Sequence, residues 1–431
     1  MDTIFAVSSG QPPAAIALLR VSGPRACVVA EMLAGTLPPE RQAGVRPLRD
    51  PADGTLLDRA LLLWFAAPRT ATGEDLVELH LHGGRAVVQA VESCLARQAG
   101  LRRAEAGEFT RRALANGRLD LSEAEGLGDL LMAETEAQRR AALANAEGAV
   151  RRRVEAWQGR LLMFAAQVEA MLDHADEDDV ADDVGALDAV RSGCAALGRE
   201  LGAVLATPAV ERLRDGIRVV LAGPPNSGKS TLLNALADRE AAIVSPIAGT
   251  TRDRVEAAVV RNGIAWLLTD TAGLAETTDD PIERIGIARA QEAMASADLL
   301  LWLADAPPPE LPGVAVLALH PRADVTGRAD VPAGRLGLSV AEGWGITELW
   351  AAMEQAAQAL LPRADALALN HRQRELLHDA AAALEFAAVQ RDPLLVAEDL
   401  RRARGSFDRI TGRADVEGVL DALFGKFCIG K

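Results

Sequence analysis

The chain has 431 residues, with 46 Lys+Arg against 61 Asp+Glu and a formal charge of −15, which excludes a protein that coats nucleic acid by bulk positive charge. At this length a single core is not expected, so the chain should divide into two or three domains. Hydrophobic residues make up 49% and charged residues 25%, an ordinary globular balance that excludes global disorder.

Met1-Asp2-Thr3-Ile4 places no basic segment ahead of an apolar stretch, and no apolar run reaches spanning length, so a soluble cytoplasmic protein is expected. Residues 1–118 alternate short apolar runs (Ile16–Val21, Leu61–Phe65, Leu76–Leu81) with Gly, Pro and Asp, which predicts a small α/β domain. From 119 to 212 the composition is helical. Ser122-Glu123-Ala124-Glu125 has the form of a capping box, and a long helix is expected to about Leu172. The acidic run Asp173–Asp183 interrupts the helical pattern, and Pro208 is a plausible boundary. Residues 213–365 read as strand, glycine loop, helix, then alternating strands and helices, a doubly wound α/β unit. Helical composition resumes over 366–431, so the simplest architecture inserts the α/β unit into one discontinuous all-α domain. Cys27, Cys94, Cys194 and Cys428 form no C-x-x-C pair, which suggests neither a disulfide framework nor a zinc cluster.

Ile217–Ala222 reads as a buried strand, and Gly223-Pro224-Pro225-Asn226-Ser227-Gly228-Lys229-Ser230 fits G-x-x-x-x-G-K-[ST] before a helix near Thr231. In such a P-loop, backbone N–H groups wrap phosphates, the Lys reaches the β- and γ-phosphates, and the Ser hydroxyl ligates Mg²⁺. Lysine occurs only at 229, 426 and 431, leaving 43 of the 46 basic residues as Arg, and Tyr is absent. A chain so poor in Lys should keep it where a compact ammonium cannot be replaced. A second strand, Ile264–Leu268, leads to Asp270-Thr271-Ala272-Gly273, which places a carboxylate beside the metal. Between them, Gly249-Thr250-Thr251-Arg252-Asp253 supplies a threonine that completes the metal shell only while the γ-phosphate is present. Guanine selection through N-K-x-D is altered here to Pro321-Arg322-Ala323-Asp324. Asp324 keeps the acceptor for guanine N1 and N2, Arg322 stands in for the Lys, and Pro321 supplies no Asn amide. Guanine preference with weakened affinity is expected, lost base selectivity being the alternative. Ser339-Val340-Ala341 would form the last base-contacting loop. Leu274 stands where Ras-like enzymes place the glutamine that orients water.

Together with Glu283-Arg284-Ile285-Gly286-Ile287 and the terminal Phe427-Cys428-Ile429-Gly430-Lys431, these motifs resemble the MnmE (TrmE) family of tRNA-modifying GTPases. Asp2-Thr3-Ile4, Leu19-Arg20-Val21-Ser22-Gly23, Thr72-Gly73-Glu74-Asp75, His82-Gly83-Gly84, Gly107-Glu108-Phe109-Thr110 and Leu119-Asp120-Leu121-Ser122 extend the resemblance over essentially the whole chain.

The resemblance implies a K⁺-activated GTPase that dimerises through its N-terminal domain. It implies GTP contacts from Asn226 to Thr231, from the loop Ser245, Pro246, Ile247, Ala248, Gly249, Thr250 and Thr251, and from Asp270 to Gly273, with Mg²⁺ on Ser230 and Thr251. K⁺ would sit on Asn226, Ser245, Ile247 and Thr250, and Glu283 with Lys229 would be catalytic, Glu283 orienting the water. The N-terminal domain would bind a tetrahydrofolate derivative (5-formyl or 5,10-methylene) through Arg20, Glu78, Arg118 and Lys431. Cys428 has two readings, a reactive thiol or a small packed residue. His80 and His82 share a strand face without a third ligand, which argues against zinc. Arg139-Arg140 and Arg151-Arg152-Arg153 fit a solvated helix face better than a tRNA patch. The implied activity is GTP hydrolysis coupled, with the FAD-dependent MnmG partner, to 5-carboxymethylaminomethyl modification of wobble uridine 34 in tRNA. The alternatives are a GTP-timed assembly factor without modification chemistry, and a folate transferase with a decayed G domain.

Overall fold

A computed structural model describes residues 2–173, 183–208, 210–238, 256–271, 290–363, 366–414, 420, 423–425, 427 and 429–430. The chain forms two compact units, one of residues 1–128, 145–160 and 404–431, the other of 129–144 and 161–403.

The first unit is built on six strands: β1 (Thr3–Val7), β2 (Ile16–Ser22), β3 (Gly44–Arg49), β4 (Leu56–Phe65), β5 (Leu76–His82) and β6 (Leu101–Arg103), ordered β3-β4-β5-β2-β1-β6. All neighbours are antiparallel except β1 with β6. Alternation along β2 sends Ala17, Leu19 and Val21 into a core with helices α1 (Ala26–Ala34) and α2 (Arg85–Ala96) through Val29, Leu33, Val88 and Val91. Arg20 therefore lies on the opposite face, where it pairs in register with Glu78 of β5. On that face α3 (Glu108–Ala115) buries Phe109 against Ile4, Ala6 and Leu76.

The N-terminal signatures converge on one ion-pair cluster. Arg112, whose side chain is 12% exposed, donates to Glu74, Glu108 and Asp2 at 3.1, 3.0 and 2.8 Å. Arg102 also donates to Glu108, Ser22 Oγ donates to Glu74 at 2.9 Å, and Ser22 Oγ meets Thr72 Oγ1 at 2.7 Å. Burial works to raise the Glu108 carboxyl, but hydrogen bonds from Arg102, the Glu105 N–H and Arg112 outweigh it and hold the group below its ordinary range. Close approach explains the glycine of His82-Gly83-Gly84, since a Cβ at Gly83 would stand 2.3 Å from the Ala14 carbonyl oxygen.

The helical stretch departs from the expected single long helix. It breaks into α4 (Leu121–Met132), α5 (Glu136–Ala146) and α6 (Ala149–Asp173). The first box is one turn-half earlier than expected: Asp120 Oδ1 accepts from Glu123 N, and Glu123 Oε2 accepts from Asp120 N, so Asp120 and not Ser122 is the cap. A second box, Thr135 with Gln138, starts α5. Gly148, at φ 85°, makes the turn into α6. Near the chain end Phe424 packs over Gly107 and beneath Arg111, Ile429 bridges to Ala106, and Gly430 lies against Val7 so tightly that a Cβ would be 2.1 Å from its carbonyl oxygen.

The second unit holds helices α7 (Asp183–Leu205) and α8 (Glu211–Arg214) and a sheet of β7 (Ile217–Ala222), β8 (Glu256–Arg261), β9 (Ile264–Asp270), β10 (Leu299–Leu303), β11 (Ala315–Pro321) and β12 (Leu336–Leu338). The order is β12-β11-β10-β7-β9-β8, parallel except for the β8–β9 hairpin. Helices α9 (Lys229–Asp238) and α10 (Ile346–Leu360) cover it, burying Leu232, Leu236, Trp350 and Met353 with Trp266. Helices α11 (His371–Val389) and α12 (Pro393–Thr411) follow. Arg374 of α11 donates to the carbonyls of Leu205 and Thr207, tying α11 to the end of α7. None of the helices among the described residues is long and apolar enough to cross a membrane.

Candidate functional site

The second unit places its motifs at the carboxyl ends of its parallel strands, where α/β sheets bind ligands. β7 runs between β9 and β10, so the loop that leaves it faces Asp270 at the end of β9. Gly223 is at φ 154°, and a Cβ there would stand 2.7 Å from the Leu303 carbonyl oxygen. Only glycine lets the chain turn so closely past β10. Asn226 and Gly228 are also left-handed, at φ 59° and 95°, a backbone of the kind that curls around an anion.

Lys229, 6% exposed, donates from Nζ to the carbonyls of Gly223 and Pro224, each at 3.0 Å. Burial pushes its amine below the ordinary lysine range, opposed by the charge of Asp270. Ser230 Oγ donates to Asp270 Oδ2 at 2.5 Å, and Thr271 Oγ1 donates to the Leu221 carbonyl at 2.8 Å. Ser227 Oγ is buried without a hydrogen-bond partner, an orphaned donor that a phosphate oxygen would satisfy. A hydroxyl and a carboxylate facing each other beside that seat are hard oxygen donors of the kind Mg²⁺ takes. Among the described residues no cluster of three His, Cys, Asp or Glu could hold a metal by itself.

The base-side loops also meet. Pro321 of β11 pairs with Leu338 of β12, which sets Arg322 to Asp324 beside Ser339 to Ala341. Ser339 is buried and pairs with Trp344, whereas Asp324 and Ala341 are exposed. Arg322, at φ 60°, donates to the Asn226 carbonyl at 2.5 Å.

In the first unit, Arg20 and Arg118 line one cavity of about 340 Å³ together with Thr70, Thr72, Phe109 and Thr110. Arg20 Nε donates to Glu78 Oε1 at 2.9 Å, the two side chains being 27% and 16% exposed. Arg118 Nε donates to the Thr70 carbonyl at 3.0 Å. His80 lies 3.7 Å from Glu78, while His82 turns to Asp58 at 2.7 Å, so the two histidines do not converge. The threonines of the cavity wall went unnoticed in the sequence. Thr72 and Thr110 lie in two of the N-terminal signatures, whereas Thr70 carries no signal in the sequence. Arg139 and Arg140 both pair with Glu136, and Arg151 pairs with Glu123, so each cluster is neutralised only in part.

Ser245, Pro246, Ile247, Ala248, Gly249, Thr250, Thr251, Ala272, Gly273, Glu283, Cys428 and Lys431 lie outside the described residues.

The profile of the MnmE helical domain matches residues 121–428, and that of the GTP-binding protein TrmE N-terminus matches residues 3–118. The chain belongs to the MnmE (TrmE) family. It is 54% identical over 431 residues to the tRNA modification GTPase MnmE of Erythrobacter litoralis, covering 100% of both chains. To the protein of that name in Rhizorhabdus wittichii it is 54% identical, covering 100% of this chain and 97% of the relative. To that of Novosphingobium aromaticivorans it is 51% identical over the whole of both. Among solved structures, the FeoB G domain of Methanococcus jannaschii aligns with 33% of this chain and 98% of its own at 24% identity, with a TM-score of 0.24.

Proposed function

We propose that this member of the family is a cytoplasmic enzyme that hydrolyses GTP to GDP and phosphate in the service of tRNA modification. The observation that carries the reading is the Lys229 seat with Ser230 set against Asp270. It occurs in a chain about half identical, over its full length, to proteins named tRNA modification GTPases.

In the reaction, Lys229 exchanges its two carbonyl partners for phosphate oxygens, and the curled loop offers N–H groups to the same charge. Ser230 and Thr251 would hold Mg²⁺, which neutralises charge developing on the phosphates. Asn226, with Ser245, Ile247 and Thr250, would hold K⁺. Glu283 orients the attacking water in place of the glutamine missing at 274, and Asp324 accepts from guanine. Residues 1–118 serve dimerisation and tetrahydrofolate binding, 119–212 and 366–431 one helical domain, and 213–365 the G domain. The cavity of Arg20 and Arg118 would take the folate, with Glu78 offering acceptors to the pterin edge and Arg20 a cation to the carbonyl-bearing side. Gly430 lies against Val7 of β1, and Lys431, which follows it in sequence, is assigned to the folate site. With the FAD-dependent MnmG subunit the product would be the 5-carboxymethylaminomethyl group on wobble uridine 34.

A strain lacking this gene, complemented with wild type, Lys229→Ala or Arg20→Ala, tests the reading by mass spectrometry of digested tRNA. The wobble modification should return with wild type alone. Full modification with both variants would remove the proposed coupling of GTP and folate to the product.

A further inference from the structure

The base-reading loop raises a physical problem. Pro321, where N-K-x-D has its Asn, is the last residue of β11 and has neither an N–H nor a polar side chain. Residue 321 therefore cannot donate any bond that would fix the loop leading to Asp324, which is exposed.

The loop is instead held from beneath. His320, 4% exposed, faces Asp305 Oδ1 with Nδ1 at 2.6 Å and the Arg328 carbonyl oxygen with Nε2 at 2.9 Å. Arg328 returns across the same loop, donating from Nη2 to Asp305 Oδ2 at 3.0 Å and from Nε to the Pro321 carbonyl at 3.1 Å. The hydrogen bond from His320 holds the Asp305 carboxyl below its usual range, as an acceptor in such a cluster requires. Arg335 donates to the Ala304, Asp305 and Ala306 carbonyls that follow β10, and to Leu319 of β11. The ends of β10 and β11 and residues 321–328 are thus one hydrogen-bonded body. From its outer side Arg322 reaches the Asn226 carbonyl of the P-loop, and Ala323 N donates to the Leu338 carbonyl at 3.1 Å.

We infer that the Asp305–His320–Arg328 cluster is the positioning device for base selection, presenting Asp324 to the guanine edge and Arg322 to the P-loop in place of the anchor that Pro321 cannot provide. This rests on the proposed reading that Asp324 recognises guanine. In this reading the three residues act without contacting the nucleotide. Their effect runs through the order of the loop, because an acceptor held in place before binding spares the cost of ordering it on binding.

The test is the steady-state kinetics of the full chain with GTP and with ATP, for wild type, Asp305→Asn and Arg328→Gln, alongside Asp324→Asn with GTP and XTP. Asp305 and Arg328 are partly exposed, 46% and 34%, so Asp305→Asn, which loses the charge and the acceptor facing Arg328, and Arg328→Gln, which loses the donors to Asp305 and the Pro321 carbonyl, weaken the cluster without emptying a core. Each should raise KM for GTP about tenfold and narrow the GTP-over-ATP preference by a similar factor, with kcat within about twofold of wild type. The same outcome from both variants separates loop positioning from local damage at one site. Unchanged KM and unchanged base preference, or an equal fall of kcat for both nucleotides with KM intact, would overturn the inference. Asp324→Asn should shift preference from GTP toward XTP, whose 2-oxo group accepts where guanine donates. If it does not, the base-reading role of Asp324 itself fails, whatever the cluster variants do.

Discussion

Arg112→Met removes the centre of the cluster on which the N-terminal signatures converge. The guanidinium bonds Glu74, Glu108 and Asp2 from a side chain 12% exposed, and Glu74 and Glu108 are 11% and 10% exposed. Asp2, 44% exposed, regains water and contributes little. Glu108 keeps Arg102, so the penalty falls on Glu74, left with Ser22 as its polar partner in the cluster. Stranding one mostly buried carboxylate should cost about 3 kcal/mol, the lower end for a broken buried pair. Calorimetry should show an earlier first transition, and Arg112→Met with Glu74→Gln should recover part of the loss. Because the Glu108 carboxyl is held low, its stabilisation is present above its unfolded value and is lost as pH falls through the folded one. The acid-side decline should therefore be shallower in Arg112→Met, which removes one of the donors that depress it. A destabilisation below about 1 kcal/mol would show that the cluster is a solvated surface network and not a buried one.

Ser230→Ala should raise the Mg²⁺ concentration needed for half-maximal GTP hydrolysis by about tenfold or more, measured by phosphate release over a Mg²⁺ series. An unchanged requirement would remove Ser230 from the metal site. The thiols of Cys27 and Cys194 are both pushed up to about 11 by burial, and burial raises Cys94 as well. At pH 8 none of the three should be alkylated quickly in the native protein. Peptide mapping after brief iodoacetamide treatment should therefore find any fast label on Cys428, and rapid labelling of Cys194 would contradict the burial described here.

Much of the architecture was legible because apolar runs have fixed periods. Leu61–Phe65 and Leu76–Leu81 fall within β4 and β5, and Ile217–Ala222 is β7 to the residue. The P-loop was legible because its spacing is set by the phosphate and not by the rest of the fold. The break of the helical stretch was less so. Asp120-x-x-Glu123 and Ser122-x-x-Glu125 overlap, and only the backbone decides which carboxylate returns to the cap. Thr135-x-x-Gln138 and Gly148 did mark the two breaks in local sequence. The Arg112 cluster could not be read, since it joins residues 38 and 110 positions away through sheet register. Nor could the His320 cluster, because Asp305 meets His320 only where β10 and β11 end side by side.

We propose guanine-selective hydrolysis by this chain without the Asn of N-K-x-D. Phosphate release from GTP and from ATP by the purified protein, in KCl and in NaCl at equal ionic strength, tests it most directly. Turnover of GTP should be rapid in KCl and much slower in NaCl, with little turnover of ATP in either. Equal rates in the two salts, or no distinction between GTP and ATP, would contradict it.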